Sequence, residues 1–239
     1  MPRQKEQHSF DVVVIGGGAS GMMASFCAAK QGAKVAIIEK NEELGKKMSI
    51  TGKGRCNITQ ENLTLENLTE SFGKKGRFLL SSFKKFDVFK TKKFFEDLGI
   101  KLKIERGGRI FPESDKAEEI IEKIRTSLTK NGIVFFRKAK IKDFEIKDNQ
   151  IKKIITAKKE ITAKKFILCT GGKSYPITGS TGDGYQWAKN FGHTIIKPIP
   201  ALTPIKIINK WSKKLQGVSL KKCQSQRFSK QQKASRKIW

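Results

Sequence analysis

Residues 10–40 read FDVVVIGGGASGMMASFCAAKQGAKVAIIEK, and this stretch decides the fold. Val12, Val13, Val14 and Ile15 form a short, wholly apolar, β-branched run, which suits a strand covered on both faces in a parallel sheet. Gly16, Gly18 and Gly21 then set out G-x-G-x-x-G where such a strand must turn into a helix. Gly16 permits the tight turn, Gly18 lets backbone come close to a pyrophosphate, and Gly21 lets helix and strand pack closely. Ala19 to Lys30 continues small and apolar as a predicted helix, and Gly32 is placed to end it. Val35 to Ile38 is the second strand, closing a βαβ unit that ends in Glu39 and Lys40.

An acidic residue about 20 positions beyond the glycines is where a ribose hydroxyl is gripped. Glu39 stands at that point. An anion at the start of the first helix, beside Ala19 and Ser20, would face unpaired N–H groups and the positive end of the helix dipole. Three glycines alone would fit a tight turn in any α/β domain. Here strand, glycines, helix, strand and acid arrive in register, which favours dinucleotide binding.

The bulk numbers bound what else the chain can be. With 239 residues, 37% hydrophobic content and 16 phenylalanines, it can build a real core. No apolar run reaches membrane-spanning length, and MPRQKEQHSF holds no apolar stretch before the first strand. Neither a secretory signal nor an anchor is expected, no membrane partner is implied, and the cytoplasm is the expected location. Cys27, Cys56, Cys169 and Cys223 show no metal-ligand spacing. The net charge of +28 would draw the protein to polyanions at low salt. It is mostly lysine spread along the chain, with no helix-turn-helix, aromatic RNA signature or zinc module, so no specific nucleic acid is expected.

After the acid comes NEELGKKMSITGKGRCNIT, residues 41–59, with Gly45, Gly52 and Gly54 among Lys46, Lys47, Lys53 and Arg55. Such a loop buries little, but it can bring N–H groups and cations to a phosphate-bearing ligand. The βαβ unit ending in Glu39-Lys40, followed by G-K-K-x-S-x-T-G-K-G-R-C-N over residues 45–57, resembles a bacterial flavoprotein family. Its members are described as NAD(P)/FAD-dependent oxidoreductases of the YhiN/BaiN-like, aminoacetone-oxidase-like type. Gly54, Arg55, Cys56 and Asn57 are the family-specific part. The resemblance implies FAD, with Glu39 at the adenosine ribose and the 45–57 loop near the pyrophosphate and flavin. It also implies NAD(P)H as a candidate electron donor and a small-molecule substrate.

Further along, Ser71 to Gly99 repeats Phe78, Leu79, Phe83, Phe86, Val88, Phe94, Phe95 and Leu98 at helical spacing, which predicts core-facing aromatics. RGGRIFP, residues 106–112, reads as a connector, Ala117 to Leu128 as an amphipathic helix, and Ile133 to Phe136 as a strand. Residues 140–169 alternate apolar and charged side chains with turn signals at Asp148-Asn149 and near Lys159-Glu160, an antiparallel meander. Phe166 to Cys169 then runs into Thr170, Gly171 and Gly172. That step resembles the point where flavoproteins of this type return to the cofactor, and the likeness continues from Ser174 to Gly184. Ser180 or Thr181 is placed to cap a helix starting near Asp183, whose own acid suits either the cap or the cofactor. Cys56 sits beside cations that lower a thiol pKa, yet with no partner cysteine nearby packing is the stronger reading.

The expected architecture is therefore α/β: a Rossmann-like FAD/NAD(P)-binding domain over 1–192 with an antiparallel β insertion, then the start of a β-rich second domain. That second domain is expected over 193–220, with strands near Ile195 and Ile205 to Ile208. Beyond Leu220 both resemblance and periodicity lapse, and 221–239 reads as an aberrant, disordered basic tail of a truncated or frame-shifted product. The expected function is hydride transfer through flavin, although no residue stands out as a catalytic acid or base. Two rivals remain. A flavin-linked tRNA-modifying enzyme would hold tRNA at physiological salt, and an inactive nucleotide-binding fragment would bind FAD weakly.

Overall fold

The computed structural model describes residues 6–61, 64–200 and 214. The chain divides into two units, Met1–Ile195 and Ile196–Trp239, and the first holds every α-helix and β-strand among the described residues. In chain order these are β1 (Glu6–Ile15), α1 (Ala19–Lys30), β2 (Val35–Ile38), β3 (Thr59–Gln60), α2 (Leu65–Glu70), α3 (Gly76–Lys85), α4 (Val88–Asp97), β4 (Leu102–Glu105), β5 (Arg109–Pro112), α5 (Ala117–Lys130), β6 (Val134–Phe136), β7 (Ile141–Lys147), β8 (Gln150–Thr156), β9 (Lys159–Leu168) and α6 (Asp183–Asn190).

The apolar run that predicted the first strand works on two faces, because strand side chains alternate sides. Val14, Val35 and Ile37 join Met22, Ile120 and Leu128 on one side of the sheet. Val13, Ile15, Ala36 and Ile38 join Phe136, Ile154 and Ile161 on the other. The sheet runs β6-β2-β1-β9-β8-β7, with β6, β2, β1 and β9 parallel and β8 and β7 antiparallel. β1 thus has β2 on one flank and β9 on the other, the point in an open α/β sheet where a crevice forms beyond the strand ends.

The antiparallel insertion is continuous with that sheet. β9 is a single ten-residue strand, KEITAKKFIL, which pairs antiparallel with β8 and, from Glu6↔Lys159 to Ile15↔Leu168, parallel with β1. No glycine or proline interrupts it, so the strand that ends the meander is also the one that returns to the glycine loop. Asp148 and Asn149 take left-handed conformations in the predicted turn; the second turn falls just before Lys159.

Four expectations are corrected. RGGRIFP is not a connector, since Arg109–Pro112 pairs with Leu102–Glu105 across Gly107-Gly108 and, with β3, makes a second sheet in the order β3-β5-β4. Phe78 is 88% exposed rather than core, and no strand forms at Ile195. Α6 begins at a left-handed Gly182 without a side-chain cap, so neither Ser180 nor Thr181 caps it. The expected strand at 205–208 and the tail 221–239 lie outside the described residues. Among those residues, no helix is long and apolar enough to cross a membrane.

Candidate functional site

The C-terminal ends of β1, β2 and β9 open into a groove of about 600 Å³. Its floor is the glycine loop. Gly16 N–H donates to Ile38 O and Cys169 N–H donates to Ile15 O, each at 2.8 Å, so the end of β1 is clasped between its two neighbours. Gly18 opens α1 with extended backbone (φ −79°, ψ −174°), no side chain caps the helix, and its first turn holds no acid. Gly17, Gly18, Ala19 and Ser20 line the groove at that point. A helix N-terminus left without a protein cap favours an anion. A Cβ built on Gly18 would meet nothing within 4 Å, so the space it faces belongs to no protein atom. A pyrophosphate fits that space and those donors.

Glu39, at the end of β2, is only 8% exposed and lines the same groove. Gly17 N–H donates to its Oε2 at 2.7 Å and Asn41 N–H to its Oε1 at 2.8 Å. Each oxygen is thereby oriented and keeps lone-pair capacity for a second donor. Two oriented acceptor oxygens side by side suit a vicinal diol, as on a ribose. The donor set therefore fits an adenine dinucleotide such as FAD.

A strap from the far end of the unit meets this wall. Lys40 Nζ donates to Thr181 Oγ1 and Asp183 Oδ2, both at 2.7 Å, and Asn41 Nδ2 donates to Thr178 O at 3.2 Å. Thr178, Gly179, Ser180, Asp183 and Trp187 consequently line the groove alongside Lys40. Burial raises the Asp183 carboxyl pKa, but hydrogen bonds from Lys40 and Thr181 outweigh it and hold the group below its ordinary value. A carboxyl whose folded pKa is depressed adds stability above its unfolded pKa and loses it as pH falls through the folded one. Acid titration of thermal stability should show that loss, and Asp183→Asn should be less stable at neutral pH and flatter across the acid range. An unchanged acid limb would show that the Lys40 pair adds nothing to folding.

Of the residues picked out from the sequence, Gly16, Gly18, Ala19, Ser20, Glu39, Lys40, Lys46, Thr170 and Gly171 line the groove. Gly21 lies behind it, packed on Gly16, and Gly172 stands next to Tyr185. Gly54, Arg55, Cys56 and Asn57 are not among the lining residues. Arg55 pairs with Glu105 at 2.7 Å and Asp115 at 3.5 Å and stacks on Phe111 at 4.1 Å. Asn57 donates through its side-chain nitrogen to Ile110 O and Thr59 O, and Gly54 O accepts from Ala117 N–H at the start of α5. Cys56 is 6% exposed, and burial pushes its thiol pKa up despite a hydrogen bond with Thr51. A thiol so raised is protonated at neutral pH and packs rather than attacks.

Sequence reasoning passed over Ala139, Lys140, Ile141 and Trp187, which also line the groove. Lys138 N–H donates to Asn41 O and Ala139 N–H to Glu39 O, which sets the start of β7 against the acid. Nothing local in KAKI announces that position. Gly179 and Gly182, both left-handed, were the available signal for the strap.

Comparison with known proteins bears on the family and the fold. The chain matches the model described as the HI0933-like protein Rossmann domain over residues 10–235. It is 34% identical over 197 residues to a 3-dehydro-bile acid delta(4,6)-reductase of Clostridium scindens, covering 81% of this chain and 47% of that protein. It is 27% identical over 213 residues to a ribosomal RNA dihydrouridine synthase of Haemophilus influenzae, covering 87% and 52%. The chain thus spans about half the length of the curated relatives it matches. Among solved structures, the open conformation of a flavocytochrome c3 fumarate reductase superposes with a TM-score of 0.61 at 22% identity, over 77% of this chain and 40% of that one, a likeness of fold. With its glycine loop, oriented acid and parallel sheet, this chain belongs to the HI0933-like Rossmann-domain family and has the fold of a flavin-dependent oxidoreductase.

Proposed function

We propose that this chain holds FAD in the groove and is the cofactor-binding part of an enzyme that reduces a carbon–carbon double bond conjugated to a carbonyl. The Glu39 carboxylate carries the cofactor reading, because it is buried, held by two N–H groups and set in the groove that begins at an uncapped helix. The names of two relatives support the acceptor class. A 3-keto steroid with unsaturation at positions 4 and 6 and a uracil ring both present an alkene in conjugation with a carbonyl, and dihydrouridine is uridine with that bond reduced. Bound here, the flavin would supply two-electron chemistry at N5, between a reduced pyridine nucleotide and the alkene.

The chain's own residues bind and orient. With FAD bound, the first turn of α1 would hold the pyrophosphate, Glu39 would accept from the ribose hydroxyls, and the Lys40–Asp183 pair would form the adjoining wall. Cys169 lines the groove next to Thr170, and burial raises its thiol pKa more than the hydrogen bond with Ser20 lowers it. It is therefore a neutral packing group there, not a nucleophile.

FAD titration, read by quenching of flavin fluorescence, tests the cofactor reading. Glu39→Ala should weaken FAD binding by tenfold or more, since hydrogen bonds to a charged acceptor contribute about 1.5–3 kcal/mol each. It should also lower the apo Tm, because Gly17 and Asn41 N–H groups lose their acceptor. Unaltered FAD affinity in a folded variant would remove Glu39 from the ligand. Oxidation of NADH or NADPH coupled to a conjugated enone, but not to an isolated alkene, tests the acceptor class.

A further inference from the structure

Residues 73–97, GKKGRFLLSSFKKFDVFKTKKFFED, carry eight lysines and arginines against three acids, Asp87, Glu96 and Asp97. They fold as α3 and α4, with Phe94 and Phe95 of α4 packed against the core. Two rings point the other way. Phe78 is 88% exposed and Phe89 is 77% exposed. Lys75, Arg77, Lys84 and Lys85 are exposed around them and enter no ion pair among the described residues. Lys90 Nζ donates to Lys85 O at 2.9 Å and Lys84 O at 3.3 Å, which fastens the first turn of α4, with Phe89, to the end of α3.

This surface continues onto the second sheet. Lys92 Nζ lies 3.8 Å from Glu61 Oε1, Glu61 N–H donates to Gly108 O at 2.7 Å, and Gln60 Nε2 donates to Gly107 O at 3.2 Å. The turn between β4 and β5, with exposed Arg106 and Arg109, therefore adjoins α4. Arg55 and Asn57 join that sheet to the loop that lines the groove through Lys46 to Thr51.

We propose that α3, α4 and the Arg106–Arg109 turn form a docking surface for single-stranded RNA. Lysine and arginine side chains neutralise phosphates, and Phe78 and Phe89 offer faces on which separate bases stack. Charge complementarity sets the class of partner: through the end of α4, residues 73–97 carry eight cations against Asp87, Glu96 and Asp97, and although Lys93 pairs with Asp97 at 2.8 Å, the remaining excess of positive charge matches a polyanion. The placement of the rings separates RNA from an anionic membrane. A membrane-surface helix presents one continuous apolar stripe, whereas Phe78 and Phe89 stand on two helices among cations, the partly exposed Phe72 and Phe86 pack their rings on Phe83 and Phe94, and Leu79, Leu80 and Phe83 are half-buried. The proposal deepens the functional reading above, because uridine is one of the acceptors that reading allows, but RNA binding is measurable without flavin.

The test is fluorescence anisotropy of the 239-residue chain with a short labelled oligouridylate, across a salt series. Phe78→Ala with Phe89→Ala should weaken binding by about tenfold or more, and the matching tyrosine pair should restore it. Arg77→Ala should reduce the slope of log affinity against log salt by about 0.7. FAD affinity should be unchanged in all of these, and Gly18→Val should leave oligouridylate binding intact, so failure of the flavin reading shows separately. Several results would overturn the proposal: no binding by the parent, equal binding by the phenylalanine-free variant, or equal preference for duplex RNA. So would a loss confined to phosphatidylserine vesicles, which would assign the face to a membrane.

Discussion

Gly18→Val should abolish FAD binding and leave the protein folded. The backbone at Gly18 is extended, a conformation any L-residue adopts. A Cβ there would touch no protein atom within 4 Å, so neither strain nor overlap opposes the substitution in the apo protein. The added side chain would instead occupy the space in front of the first turn of α1, where Gly17, Ala19 and Ser20 line the groove. A pyrophosphate held by N–H groups at about 2.9 Å cannot share that space with a branched side chain. The measurement pairs circular dichroism and Tm with FAD titration. Parent-like Tm with no detectable FAD binding is the expected result. A variant that binds FAD as tightly as the parent would show that the ligand passes elsewhere.

The opposite outcome is expected three residues later. A Cβ on Gly21 would lie inside the contact distance of the Gly16 carbonyl oxygen and 3.3 Å from Cys169 Cβ. The first obstacle is backbone at the end of β1, which cannot rotate aside as a side chain can. Gly21→Ala would therefore push α1 away from the sheet, and Met22, buried beside Val14, Val35 and Ile37, would lose its packing. Overpacking a core costs about 1–3 kcal/mol where side chains can adjust. Here the helix itself must move, so a cost at or above the top of that range is expected. Against a total stability of about 5–15 kcal/mol, that is a large fraction. Urea unfolding should show a clearly lowered midpoint, with FAD affinity falling in step with the folded fraction. A parent-like midpoint would mean that α1 and β1 do not pack as closely as described.

The two glycines thus separate what a shared motif conflates. One leaves room for a ligand, and the other lets two elements touch. Glu39 combines both kinds of role, since it orients its oxygens through Gly17 and Asn41 and faces the groove with the same carboxylate. From the sequence it reads as an acceptor at the end of a strand. Its part in holding the glycine loop comes from a hydrogen bond across 22 positions.

The βαβ unit, the glycine turn and α5 were legible because their signals are local, whereas the return of the chain at Thr170 and Gly171 was read from family resemblance. Four β-branched residues, a glycine spacing and a 3.6-residue repeat each constrain nearby backbone whatever the rest of the chain does. Partner choice is not local. The family resemblance placed Arg55 and Asn57 near the cofactor, yet Glu105, Phe111 and Ile110, fifty or more positions on, draw them to the second sheet. Phe78 has the spacing of a core residue, and only the packing of α3 decided that it faces outward. Lys40 carries a charge that suits a phosphate, but Asp183 arrives 143 positions later and takes it. Periodicity and glycine spacing along the chain therefore determined the βαβ unit, α5 and where the glycine loop must lie, while the second sheet, whose short strands carry no such period, formed only through pairing. Tertiary packing alone decided which side chains reach the groove, because a charge or a ring binds whatever the fold brings within a few ångströms of it.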